Sequence, residues 1–303
     1  MTVIGGTHGD ELVGVEVIRA FKALFSIPDE SKGTYERSIS GTLTLLIGNP
    51  EAVEKRQRSS SGVRDMNRCF LQEDLDREPN TEDISDLRRA REVAPLLSAS
   101  QMVIDLHGTS SDSPAFVCFG SDSSKHRALY ELLPVDHILT DPHDVLSHDE
   151  GRPGRGTTDD CTERHGGIAL GYETGREDDL TRVPGIFDDV LRLLVRIGTL
   201  SMDSPILDSH PNAKHHEPRT QTVYALKYSL HAHSDTFQYA PQMNTGWQTV
   251  HAGQLIGTYS DGTEERVPED GMLVFPKSAN NLSSPLNTHR MTKKKSIPLV
   301  SWC

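Results

Sequence analysis

The 303-residue chain is short of thiols, of basic charge and of long apolar runs. Its four cysteines, Cys69, Cys118, Cys161 and Cys303, are scattered with no C-x-x-C pair. That suggests neither a disulfide framework nor a thiolate zinc site, and it fits a reducing, intracellular setting. Lys and Arg total 31 against 44 Asp and Glu, a formal charge of -13. A nucleic-acid binder carries a basic excess, so no nucleic-acid partner is expected. A small anionic substrate stays open, because a local arginine cluster overrides the global sign. No apolar run is long enough to span a bilayer, and no signal peptide is evident. No membrane partner is expected, and a cytoplasmic location is.

The length suits one large domain or two unequal ones with a sizeable core. Up to about Ser204, apolar strand-like runs alternate with helical periodicity. Strands are expected at Thr2–Ile4, Thr42–Ile47, Gln101–Leu106, Ala115–Phe119 and Ile168–Tyr172. Helices are expected at Leu12–Phe25, Glu82–Leu97, Ser124–Leu133 and Ile186–Leu200. That alternation predicts an α/β layer with a largely parallel sheet. Gly48-Asn49-Pro50 reads as a break, and the polar stretch from His143 to Thr158 as a mobile loop. After Ser204, short alternating segments such as Thr222–Leu230 and Gln254–Tyr259 predict a smaller β-rich domain. The expected division is therefore 1–204 and 205–303. The lysine run within Thr292–Ser296 reads as a solvated tail.

The most informative stretch is Gly5-Gly6-Thr7-His8-Gly9-Asp10-Glu11. It presents an imidazole and a carboxylate three residues apart on a glycine-rich turn, half of a zinc site. Alone, His8 is better explained as a hydrogen-bonding loop residue. His107, directly after a buried strand in Ile104-Asp105-Leu106-His107-Gly108-Thr109, offers the third ligand. In open α/β sheets, sites gather at the carboxyl ends of strands, and His8 and His107 both follow strands. Asp105 points the same way as His107 on a strand, where it either orients the imidazole or caps a loop. Glu173 ends a further strand in Gly171-Tyr172-Glu173-Thr174-Gly175. A carboxylate there is placed to act as general base beside a metal. Arg56, Arg58, Arg64 and Arg68 lie close together in sequence. Beside a metal, such guanidiniums suit carboxylate recognition or oxyanion stabilisation. His210, His215, His216, His231 and His233 have no fixed ligand spacing and carry no metal assignment. His143 and His148 fall in the expected mobile loop.

Taken together, GGTHGDE, GNPEAVEKRQR, DMNRCF, DLHGTSS and GYETG resemble, in order and spacing, the aspartoacylase and succinylglutamate desuccinylase family of zinc amidohydrolases. These are relatives of the zinc carboxypeptidases. The likeness covers Val3 to about Gly175, with a weaker echo from His251 to Pro276. It implies one zinc ion per subunit on His8, Glu11 and His107, with Glu173 as general acid/base. It implies that Arg58 polarises the scissile carbonyl and that Asn67 and Arg68 bind a substrate carboxylate. The implied fold is a carboxypeptidase-like mixed sheet with flanking helices, plus a C-terminal β-rich domain that narrows the site. The implied reaction is hydrolysis of a small N-acyl amino acid, and a homo-oligomer is left open. Two departures concern substrate recognition. No tyrosine follows Pro276 within Lys277–Ser284, and the family's further substrate arginine is met only by Arg164, one position out of register. A zinc carboxypeptidase acting on peptides and a non-catalytic relative are the alternatives.

Overall fold

The computed structural model describes residues 1–25, 38–145, 156–215, 219–231, 236–276 and 288–294. Residues 146–155 of the expected mobile loop lie outside these, as do residues 277–284, His148, His216 and His233.

The chain begins with strand β1 (Thr2–Gly5), helix α1 (Leu12–Phe25) and strand β2 (Thr44–Ile47). Helices α2 (Pro50–Lys55), α3 (Gln72–Asp76) and α4 (Ser85–Ser98) follow. Next come β3 (Met102–Thr109), β4 (Phe116–Phe119), α5 (Ser124–Tyr130) and β5 (His137–Thr140). Helix α6 (Thr158–Arg164), strand β6 (Ile168–Arg176) and helix α7 (Val183–Arg196) complete the α/β part. The remainder is β7 (Thr222–His231), β8 (Gln238–Tyr239), β9 (Gln248–Val250), β10 (Leu255–Thr258), β11 (Glu264–Arg266), β12 (Gly271–Val274) and β13 (Thr288–Lys294).

Ten strands form one sheet in the order β2-β1-β3-β6-β4-β5-β7-β13-β12-β9, and β11-β10-β8 form a second. From β2 to β7 every pairing is parallel except β4 with β6. Beyond β7 all pairings are antiparallel. This is the expected mixed α/β sheet with a β-rich C-terminal region. The lysine run departs from the expectation, because Thr292, Lys293 and Lys294 belong to β13 and pair with β7.

Alternation along the strands sorts side chains to two faces. Val3, Ile104, Leu106, Leu170 and Tyr172 pack with α1 (Val13, Val17, Phe21) and α7 (Phe187, Val190, Leu194). Their neighbours Ile4, Val103 and Ala169 pack on the other face with α4 (Leu87, Val93, Leu97), Met66, Phe70 and Cys161. Helices therefore cover both faces, which a parallel sheet requires. Asp105, His107 and Glu173 alternate with the α1-facing set. They share the α4 face, at the carboxyl end of the central strands.

Candidate active site

His8 and Glu11 sit on the turn between β1 and α1. Gly6 there has a φ of +72°, which glycine adopts without steric cost. A Cβ at Gly9 would overlap the Ala52 carbonyl of α2, so the turn lies flat against that helix. β1 and β3 are parallel neighbours, with Gly5 level with Leu106. That places His8 beside His107, their ring centroids 4.9 Å apart. One atom from each of His8, Glu11 and His107 lies within 4.8 Å of the others, and all three residues are buried.

The donor set fits a cation. Glu11 faces both imidazoles, with Oε1 2.6 Å from His8 Nδ1 and Oε2 2.9 Å from His107 Nδ1. Each imidazole turns its other nitrogen to a carboxylate. His8 Nε2 is 2.9 Å from Asp65 Oδ1, and His107 Nε2 is 3.1 Å from Asp105 Oδ2. An Nε2–H donating to those carboxylates leaves both Nδ1 lone pairs aimed at Glu11. Oxygen and nitrogen lone pairs approach that closely only with a proton or a cation between them. Carboxylate–histidine pairs of this kind fix ligand orientation in metal sites.

The charges agree. Burial alone would lower the pKa of His107, but the Asp105 and Glu11 carboxylates outweigh it and raise the imidazole well above its usual range. Burial would raise Glu11, yet His8 and His107 hold it far below the ordinary carboxylate range. Asp65 is likewise held low by Arg58 and His8 against its burial. Asp105 is satisfied further by Thr7 Oγ1 at 2.9 Å and Thr158 Oγ1 at 2.8 Å.

Glu173 pairs in register with His107 across β3 and β6 and with Phe116 across β4. Thr174 Oγ1 donates to the His107 carbonyl at 2.8 Å, which locks the two strands at that level. Glu173 is 8% exposed, and its buried Oε2 has no hydrogen-bond partner. Burial pushes its carboxyl up to about 7. The carboxyls of Glu11 and Glu173 are thus shifted in opposite directions, the first down and the second up, the pattern by which acid and base roles divide.

The structure also brings Arg58, Asn67 and Arg68 to this region. Arg58 Nη2 donates to Asp65 Oδ2 at 2.7 Å, and Nη1 lies 3.6 Å from Glu11 Oε1. Its loop is tethered by Asp86, which is fully buried. Asp86 accepts from Ser60 N–H (3.1 Å), Ser61 N–H (2.8 Å) and Asn49 Nδ2 (2.8 Å). Asn67 Oδ1 accepts from the Thr158 N–H at 2.9 Å, and Nδ2 lies 3.5 Å from His107 Nε2, a contact between two donors because Nε2–H faces Asp105. Arg68 is buried and donates through Nη1 to the Asn67 carbonyl at 2.8 Å. Arg164 is engaged elsewhere, with Asp160 and the Phe70 carbonyl. Sequence reasoning assigned no part to Asp65. Its position two residues before Asn67-Arg68, in a segment dense with arginine, is the signal that was there to read.

A carboxyl-end site on a helix-flanked mixed sheet sets two histidines around one glutamate, and solved aspartoacylase-like proteins share this fold. Residues 1–183 match the Succinylglutamate desuccinylase/Aspartoacylase catalytic domain, and the chain belongs to that family, whose members act on small N-acyl amino acids. A probable aspartoacylase from a Nostoc species is 33% identical over 126 residues, 40% of this chain and 39% of that protein. The N-acyl-aromatic-L-amino acid amidohydrolase (carboxylate-forming) of Xenopus laevis is 34% identical over 136 residues, 43% of this chain and 41% of the relative. The matched stretch thus spans about two-fifths of these relatives. The crystal structure of murine aminoacylase 3 superposes with a TM-score of 0.70 at 18% identity, covering 97% of this chain and 94% of the other. A succinylglutamate desuccinylase/aspartoacylase structure from Rhodobacter sphaeroides gives 0.65 at 17% identity, covering 97% and 85%. These two carry the fold. No helix among the described residues is long and apolar enough to cross a membrane.

Proposed function

We propose that the chain is a zinc-dependent amidohydrolase that cleaves the amide bond of a small N-acyl amino acid, releasing a carboxylic acid and a free amino acid. His8, Glu11 and His107 hold one zinc ion per subunit in this reading. The observation that carries it is the convergence of these three donors with an unpartnered, buried Glu173 in register beside His107. Scattered thiols support a cytoplasmic setting.

Zinc, when bound, supplies Lewis acidity toward a carbonyl oxygen and brings the ionisation of water toward neutrality. The rest falls to side chains. Glu173 takes a proton from the attacking water on its carboxylate and returns it to the amine nitrogen as the C–N bond breaks. Arg58 offers a guanidinium to the developing oxyanion, held in place by Asp65. Asn67 and Arg68 bind the substrate carboxylate as amide and guanidinium donors. Asp65 and Asp105 orient the two imidazoles. The C-terminal region, from about residue 205, restricts the mouth to small substrates. Its docking supports this: Gly246 N–H donates to the Asp112 carbonyl at 2.8 Å, and Ser111 Oγ to the Pro276 carbonyl at 2.6 Å. Both contacts fall on the segment that follows His107.

The test is a panel of N-acetyl and N-succinyl derivatives of Asp, Glu and neutral or aromatic amino acids, with peptides alongside, assayed with zinc-loaded protein. Turnover of at least one N-acyl amino acid, abolished by a chelator and restored by Zn2+, is expected. Cleavage of peptides alone would replace this reading with the carboxypeptidase one.

A further inference from the structure

We propose that Thr158 is a positioning residue that ties the substrate-carboxylate anchor to the metal half of the site. The inference rests on the function proposed above. Thr158 is buried and is the first residue of α6. Its N–H donates to Asn67 Oδ1 at 2.9 Å, and its Oγ1–H donates to Asp105 Oδ2 at 2.8 Å. Asp105 Oδ2 is the same atom that faces His107 Nε2. One residue thus touches both Asn67 and the carboxylate behind a candidate ligand.

Each link has a chemical consequence. An asparagine amide is an acceptor at one end and a donor at the other. A backbone N–H can be met only by the oxygen. Thr158 therefore holds Asn67 in the orientation that keeps Nδ2 as the donor for a carboxylate; a flipped amide would present oxygen to oxygen. The hydroxyl, for its part, donates to a buried carboxylate and fixes the oxygen on which the His107 imidazole is seated.

The start of α6 is clamped to the same turn by neighbours of Thr158. The Gly156 carbonyl accepts from Phe70 N–H at 2.9 Å, and Arg164 at the far end of α6 donates to the Phe70 carbonyl. Thr157 caps the helix. The helix and the Asn67–Phe70 turn therefore move together, and Thr158 is where that unit meets Asp105.

Three variants separate the links. Thr158→Ser keeps both. Thr158→Val removes the hydroxyl. Thr158→Pro removes the hydroxyl and the N–H together, at a first helical position where proline is accepted. Thr157, at φ -94° and ψ 169°, already has the extended backbone that precedes proline. Far-UV circular dichroism and melting curves establish that each folds.

The readouts are Co2+ affinity of the metal-free protein, by spectroscopic titration, and KM against kcat at saturating metal with an N-acyl amino acid from the panel. The valine variant should bind Co2+ about tenfold more weakly, as for other partners behind metal ligands. Its KM should stay near the wild-type value, because the N–H that holds Asn67 is retained. Serine should keep both at wild-type values, and proline should raise KM about three- to tenfold with a smaller change in kcat, the worth of one hydrogen bond at the anchor. Should the proline variant fail to fold, the valine and serine pair decides. Wild-type Co2+ affinity in the valine variant or wild-type KM in the proline variant would overturn the proposal, as would a loss of Co2+ affinity that serine fails to rescue. If no N-acyl amino acid is turned over by the wild type, the proposed function fails on its own account. The Co2+ titration then still decides the hydroxyl link.

Discussion

Glu173 and His107 stand level with each other on two adjacent parallel strands, one an acid with a raised pKa, the other a base with a raised pKa. Rigid strands, not loops, set their separation, so the candidate general base is held at a fixed distance from a candidate metal ligand.

Replacing Glu173 by Gln keeps the shape and removes the proton acceptor. Metal content should be unchanged, and kcat should fall by roughly 10²–10⁴. Metal analysis beside steady-state kinetics checks this; wild-type turnover in the variant would remove Glu173 from the chemistry.

The pH profile follows from the same carboxyl. Burial favours its protonated form, so the accepting carboxylate appears only as pH rises toward about 7. A bound cation favours the charged form and moves that point lower. The expected acid limb of kcat/KM thus lies below about 7, with activity rising as pH increases. In Glu173→Gln the residual rate should lose that limb.

Asp65 faces His8 and Arg58 at once. In Asp65→Ala the imidazole loses the carboxylate that fixes its tautomer, and metal affinity should drop about 10- to 100-fold. Competition with a chromophoric chelator measures it. A drop in turnover with unchanged affinity would assign Asp65 to Arg58 alone.

Asp86 tests the loop that carries Arg58. Asp86→Ala leaves two buried donors and one partly buried donor without their acceptor, a cost of about 3 kcal/mol in total. For a chain of this size the melting temperature should fall by roughly 6–12 °C. Calorimetry of the metal-free protein isolates this from metal binding.

Much of this architecture was readable from residue patterns. Helix α1 coincides with its periodicity, because its apolar stripe faces one uniform layer. β3 and β6 were visible as buried runs that end in polar, chemistry-bearing residues. Gly48-Asn49-Pro50 ends the strand at Ile47 as expected, and it also opens a helix that was not expected. Asn49 caps a helix, its side chain accepting from Ala52 N–H, and Pro50 occupies the first helical position. Strand β5 went unseen because His137-Ile138-Leu139-Thr140 is too short to show a period. Its character comes from pairing with β4 and β7. Spacing singled out His8 and Glu11, position after buried runs singled out His107 and Glu173, and the structure brings the four together. Asp65 and Thr158 stayed hidden because their parts depend on partners distant in the chain.

The sheet does not stop where the family match ends. Strand β7 lies well past residue 183 and adds directly to β5. A truncation after residue 204 would strip β5 of its neighbour and bare a row of unpaired amides, a template for self-association. Expression of the catalytic portion alone should therefore yield aggregates rather than a smaller enzyme.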